Sequence, residues 1–151
     1  MKTLIFLLIP FMSFSQLRIY TEVDPRNAVF GSNINEAAYD GTFSLGYRIQ
    51  DFQAQMTYET FQKIGFKSYM IQAGKVLNSE GKFNYVLLGG LGMIKRNVDW
   101  LNIVWHPSVS FSIQGEYHLG NSFLSARQEI RYRGDLKKII GSGYIGIGVN
   151  L

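Results

Sequence analysis

The segment Ser108-Val109-Ser110-Phe111-Ser112-Ile113-Gln114-Gly115-Glu116-Tyr117-His118-Leu119 is polar at even positions and mostly apolar at odd ones. A strand turns successive side chains to opposite faces, so this segment has one oily face and one wet face. The same alternation recurs along the chain. Phe43, Leu45, Tyr47 and Ile49 oppose Thr42, Ser44, Gly46, Arg48 and Gln50. Ala54, Met56 and Tyr58 oppose Gln53, Gln55, Thr57 and Glu59. Leu124, Ala126, Ile130 and Tyr132 oppose Ser125, Arg127, Glu129 and Arg131. Near the end, Ile145, Ile147, Val149 and Leu151 oppose Tyr144, Gly146, Gly148 and Asn150, and near the start Leu17, Ile19 and Val23 oppose Arg18, Tyr20 and Glu22. One stretch is less clean: Phe83, Tyr85, Leu87, Leu91 and Met93 face away from a mixed set of Asn84, Val86, Leu88, Gly90 and Gly92.

Turn residues between these runs predict eight strands, at about 17–23, 41–50, 52–61, 65–77, 82–96, 105–119, 122–132 and 139–151. Gln50-Asp51, Asn78-Ser79-Glu80-Gly81 and Gly120-Asn121 read as compact turns. The joints at 24–40 and 97–104 are long, and Ser32 to Asp40 has room for one helical turn. Phe and Tyr total 20 against three Pro, a balance that favours strands over loops.

The polar faces decide between a soluble sheet and one that faces lipid. A face shown to water would be rich in Lys, Asp and Asn. Here it carries small and amide residues with Arg18, Glu22, Arg48, Glu59, Glu116, Arg127, Glu129 and Arg131, while most lysines fall in joints or near strand ends. Buried charges need partners, and Arg suits bidentate pairing with Glu. These eight residues are therefore expected to form a charge network lining a narrow lumen. Arg127, Glu129 and Arg131 line one strand, with Glu59 and Glu116 as counter-charges from other strands. Apolar outside and polar inside is the pattern of a transmembrane β-barrel. The expected fold is all-β: an eight-stranded antiparallel up-and-down barrel over residues 16–151.

The first 15 residues read as a separate unit. Met1-Lys2-Thr3 is a short basic start, Leu4 to Met12 is apolar apart from Pro10, and Ser13 and Ser15 place small residues before Gln16. That is a signal peptide with cleavage near Ser15/Gln16. The apolar run falls short of the ~20 residues that span a bilayer as a helix. Removing it leaves a single domain of ordinary size and, as Lys2 departs, lowers the net charge from +4 to +3. With no basic run, nucleic acid is not an expected partner. The chain has no cysteine, so it cannot use the disulfides common in secreted domains. A closed barrel, whose backbone bonds are satisfied internally, supplies stability in their place.

From residue 16 to 151 the chain resembles the small outer-membrane barrels of Gram-negative bacteria, of the OmpA/OmpX type. The resemblance rests on strand count, alternation, the signal and an end inside the last strand. Such barrels usually end on an aromatic residue, whereas this chain ends on Leu151, in the expected phase. The resemblance implies residence in the outer membrane among its lipids, delivery by the barrel-assembly machinery and both termini in the periplasm. An eight-strand lumen is just wide enough for side chains to fill, so a diffusion pore is not expected.

His106-Pro107-Ser108, with Glu116 on the same face, resembles the His-x-Ser-Asn segment and downstream Glu of outer-membrane lipid A deacylases. Here Val109 replaces the Asn, and the alternation turns His106 and Ser108 inward, away from lipid. A Ser nucleophile needs a base within reach and an oriented third group. Arg133-Gly134-Asp135 spells an adhesion tripeptide but is also an ordinary polar turn. Gly89-Gly90-Leu91-Gly92 lies within a strand and lacks the Lys-Ser/Thr of a phosphate loop. His106 and His118, twelve residues apart on one strand, stand roughly 40 Å apart and cannot share a metal. Trp100 and Trp105 flank a joint suited to the membrane surface. The expectation is a non-catalytic barrel with no cofactor and no metal, acting structurally or through the 24–40 and 97–104 loops. The alternatives are a lipid-modifying barrel enzyme using His106, Ser108 and Glu116, and a secreted soluble barrel that folds the Phe43, Phe111 and Ile147 face inward around an apolar ligand.

Overall fold

The computed structural model describes residues 15–26, 40–61, 65–97 and 103–151. They form eight strands: β1 (Ser15–Val23), β2 (Asp40–Ile49), β3 (Phe52–Phe61), β4 (Phe66–Leu77), β5 (Phe83–Asn97), β6 (Ile103–Leu119), β7 (Ser122–Arg133) and β8 (Lys138–Asn150). Each pairs antiparallel with the next, and β1 closes on β8, so the sheet is a barrel without edges. Closure runs from Arg18↔Asn150 to Val23↔Ile145, and the amide of Leu151 donates to the Leu17 carbonyl at 2.8 Å. The expected strands are all present, with ends that move by one or two residues. The 32–40 helical turn falls outside the described residues except for Asp40, which opens β2. Residues 1–14 also lie outside them, and β1 starts at Ser15.

The joints at one end of the barrel are tight. Gln50 takes φ 50° in the two-residue turn between β2 and β3, Asn78 takes φ 59° after β4, and Gly120 takes φ 66° after β6. A left-handed backbone at the first turn position matches the twist of the strands that flank it. The start of β1 and the end of β8 lie at this end, called here the turn end; β1 and β2, and β5 and β6, are joined at the other, the loop end.

Alternation then sorts the side chains. Phe43, Leu45, Met56, Ile71, Leu91, Phe111, Ile113, Ile130, Ile145 and Ile147 all point outward and are exposed. The face that an apolar-ligand binder would turn inward is thus outside: Phe43 and Phe111 are each 51% exposed and Ile147 56%. Aromatic side chains cluster on the outer wall toward both ends. Tyr58, Tyr69 and Trp105 stack successively at 5.1 and 5.9 Å on the loop side, while Phe83 meets Tyr85 edge-on at 4.9 Å on the turn side. Trp100 lies outside the described residues.

The interior is mostly polar, and two apolar clusters stand out among the described residues. Val76, Val86 and Leu88 cluster inside near the turn end. Phe61, Phe66 and Ile94 cluster inside at the loop end. These inward groups explain the mixed face of β5: Val86, Leu88 and Ile94 pack against the inner wall beside β4 and do not face lipid. The glycines of β8 have a related role. A Cβ on Gly148 would fall 2.3 Å from the Phe123 ring and 2.4 Å from the Tyr20 Cβ. Its absence lets Tyr20 and Phe123 meet at 5.7 Å inside the lumen.

Candidate functional site

Eight charged side chains, contributed by β1, β2, β3, β6 and β7, meet inside the barrel. Arg18, Glu22, Arg48, Glu59, Glu116, Arg127, Glu129 and Arg131 are all buried. Four positive groups thus face four negative ones in a space with little water. Such charges are tolerable only when paired and hydrogen-bonded.

They divide into two layers. Toward the turn end, Arg18 Nη1 donates to Glu116 Oε1 at 2.9 Å and Arg48 Nη2 donates to Glu116 Oε2 at 2.7 Å. Gln53 Oε1 accepts from both arginines, at 2.6 Å from Arg48 Nη2, and Gln114 donates to Glu116 at 3.0 Å. His118 Nε2 lies 3.2 Å from Glu116 Oε2. The Arg18 guanidinium also stacks over the Phe123 ring at 4.2 Å.

Toward the loop end the charges alternate along a chain. Arg127 contacts Glu22 at 2.6 Å and Glu129 at 2.5 Å. Arg131 contacts Glu129 at 2.5 Å through Nε and also pairs with Glu59. The Tyr144 hydroxyl donates to Glu59 at 2.9 Å, and Ser125 donates to Glu22 at 3.1 Å. An uncharged ladder joins the layers: Tyr20 donates to Gln55 at 2.6 Å, Gln55 to Gln72 at 2.8 Å, and Gln72 to Ser110 at 3.2 Å.

Register sets these pairings. Sequence offers Glu59 and Glu116 as counter-charges without fixing which pairs meet; in the barrel Glu116 serves Arg18 and Arg48, while Glu22 and Glu59 serve the arginines of β7. Strand tilt and stagger bring side chains of non-adjacent strands to one height. The amides Gln53, Gln55 and Gln72 link the network; sequence puts Gln53 and Gln55 on a polar face but does not mark any of the three as a link. At the turn-end mouth a cavity of about 670 Å³ is lined by Arg48, Asn84, His118 and Asn150, with Asp51 and Glu80 at its rim. The buried pair of Arg18 and Glu116 lies beyond it.

The deacylase-like set is not assembled. Ser108 is buried and donates to the Tyr132 carbonyl at 3.0 Å. Glu116 lies eight residues along β6 from Ser108, roughly 26 Å in an extended strand, and is held by two arginines. His106 is half-buried at the loop end of the same strand. In the Arg-Gly-Asp turn, Arg133 binds its own Asp135 at 2.6 and 3.0 Å and lies over the Phe66 ring at 4.4 Å. The two groups an adhesion receptor would read are engaged with each other. Among the described residues no cluster of three or more His, Cys, Asp or Glu could hold a metal ion.

No family model matches the sequence, and no curated protein matches it. Solved structures do. The outer membrane protein Ail of Yersinia pestis, in a phospholipid bilayer nanodisc, superposes with a TM-score of 0.61 over 91% of this chain and 99% of that one, at 15% identity. The fold is that of a small outer-membrane barrel. Neisserial surface protein A superposes with a TM-score of 0.57 over 91% of this chain and 96% of that one, at 16% identity. A de novo designed transmembrane β-barrel reaches 0.54 over 90% and 95%, at 11% identity. A designed barrel has no natural partner, so the likeness reports shared architecture and not a shared task.

Proposed function

We propose that the protein resides in the outer membrane as a non-catalytic barrel, released from a signal peptide near Ser15/Gln16 and inserted by the barrel-assembly machinery. Its role is structural or surface-interacting, exerted through the 24–40 and 97–104 loops. One observation carries this reading: an exposed apolar wall, with aromatic residues clustered toward both ends, surrounds an interior of paired charges. Water would leave that wall unsatisfied, whereas hydrocarbon suits it and the aromatic clusters suit the two interfaces. In this reading Ser108 is a lumen residue bonded to the Tyr132 carbonyl, and Glu116 is the partner of Arg18 and Arg48.

Membrane fractionation with a heat-modifiable gel shift tests the reading. The mature chain, starting at Gln16, is expected in the outer-membrane fraction, migrating differently before and after boiling. Recovery in the soluble periplasm would overturn it. Deacylated lipid A that appears with the native protein and disappears with Ser108→Ala would overturn the non-catalytic part.

A further inference from the structure

The outer wall carries one polar group that its setting does not explain. Gln128 is exposed at the middle of β7, opposite Ile113 of β6 and Gly143 of β8. Among the described residues it is the one amide side chain on the outer face between the aromatic clusters. The other polar groups there are accounted for. The Thr21 hydroxyl donates to the Thr42 carbonyl at 2.8 Å. Lys67, Lys75 and Lys95 each lie within three residues of a strand end, where a long stem reaches water. Gln128 has neither remedy. In an apolar band about 25 Å tall it stands roughly 12 Å from either interface. No side chain or backbone group of its own barrel bonds its amide among the described residues.

Its surroundings leave room for an approach. A Cβ on Gly141 would lie 3.7 Å from Gln128 Nε2, and one on Gly143 would lie 3.4 Å from Oε1. The exposed amide therefore rests beside two glycines of β8, where no side chain stands over it. An amide left unbonded in hydrocarbon is unfavourable, and polar side chains in membranes hold spans together by bonding across them.

We propose that Gln128 marks a face where two copies of this chain associate in the bilayer. A primary amide both donates and accepts, so it is its own complement about a two-fold axis. Lipid tails offer no such partner, and a second copy always brings one to the same depth. The glycines let the two walls approach closely enough for the amides to meet. This proposal rests on the outer wall facing lipid.

The chain has no cysteine, so single thiols can be placed cleanly. Ala126→Cys sits beside Gln128 on the outer face of β7, and Met56→Cys sits on β3, across the barrel. Both proteins are reconstituted at high lipid excess and treated with a short bis-maleimide, and sedimentation with the vesicles reads membrane residence separately. Covalent dimer from Ala126→Cys is expected to exceed that from Met56→Cys by about fivefold, the shift a hydrogen bond of usual net strength gives. Adding Gln128→Leu, which a lipid-facing wall accommodates without unfolding, is expected to reduce it to the Met56→Cys level. Equal yields at the two positions, or a yield indifferent to Gln128→Leu, would overturn the association face. Failure to sediment with vesicles would overturn the membrane reading itself.

Discussion

Ser112 and Ile113 are neighbours in the chain and opposites in environment. Ser112 is buried in the lumen, and Ile113 is 48% exposed on the wall. If that wall meets lipid, Ile113→Arg should destabilise the barrel by about 2–4 kcal/mol near the midplane. Ser112→Ala removes a hydroxyl that makes no hydrogen bond and should change stability little. Unfolding titrations in bilayers measure both, and equal tolerance at the two positions would reverse the inside and the outside. Glu129 is a sharper case because it serves Arg127 and Arg131 together. Removing it takes one of two carboxylate partners from each of two buried guanidiniums and leaves the lumen with an excess positive charge, so Glu129→Ala should cost about 3–5 kcal/mol. Glu80→Ala, in an exposed turn, should stay within about 0.5 kcal/mol of the parent in the same titration. A Glu129→Ala protein as stable as the parent would show that the network contributes nothing to the fold.

At the scale of elements, strand number, order and facing were legible because the period-2 pattern is written locally, residue by residue. Phe43, Leu45, Tyr47 and Ile49 need no partner to show their phase. Partner choice was not legible. Glu116 meets Arg18 across 98 positions, and only the stagger of a closed barrel brings them together. The inward Val86 and Leu88 were also obscure, because their mate Val76 sits on another strand. Turns fall between these cases. Gln50-Asp51 reads as a turn, yet the sequence does not disclose that Gln50 adopts φ 50°. A left-handed backbone is unfavourable for residues with a Cβ, and glycine adopts it freely. Gln50→Gly should therefore stabilise the β2–β3 hairpin by roughly 0.5–1 kcal/mol after the entropy glycine loses on folding. A decrease in stability would mean that the Gln50 side chain contributes at the cavity mouth it lines.

For the molecule as a whole, the question is whether a closed cylinder conducts. Eight strands enclose a bore that side chains can fill. Here the filling is continuous from one mouth toward the other. The Arg18–Arg48–Glu116 layer is followed by the Gln55–Gln72–Ser110 ladder, and then by the chain from Glu22 to Glu59 through Arg127, Glu129 and Arg131. The apolar clusters at Val76 and Phe66 close the β4 side at its two ends. The cavity at the turn end is a vestibule that meets the first of these layers. An ion crossing the barrel would have to separate several paired charges in succession, each in surroundings of low dielectric. Planar-bilayer recordings should therefore show no steady conductance on the nanosiemens scale expected of a water-filled porin. Brief, small openings would fit local exchange of pairs within the chain. A stable large pore in the purified protein would mean that the charged layers are not packed as a plug.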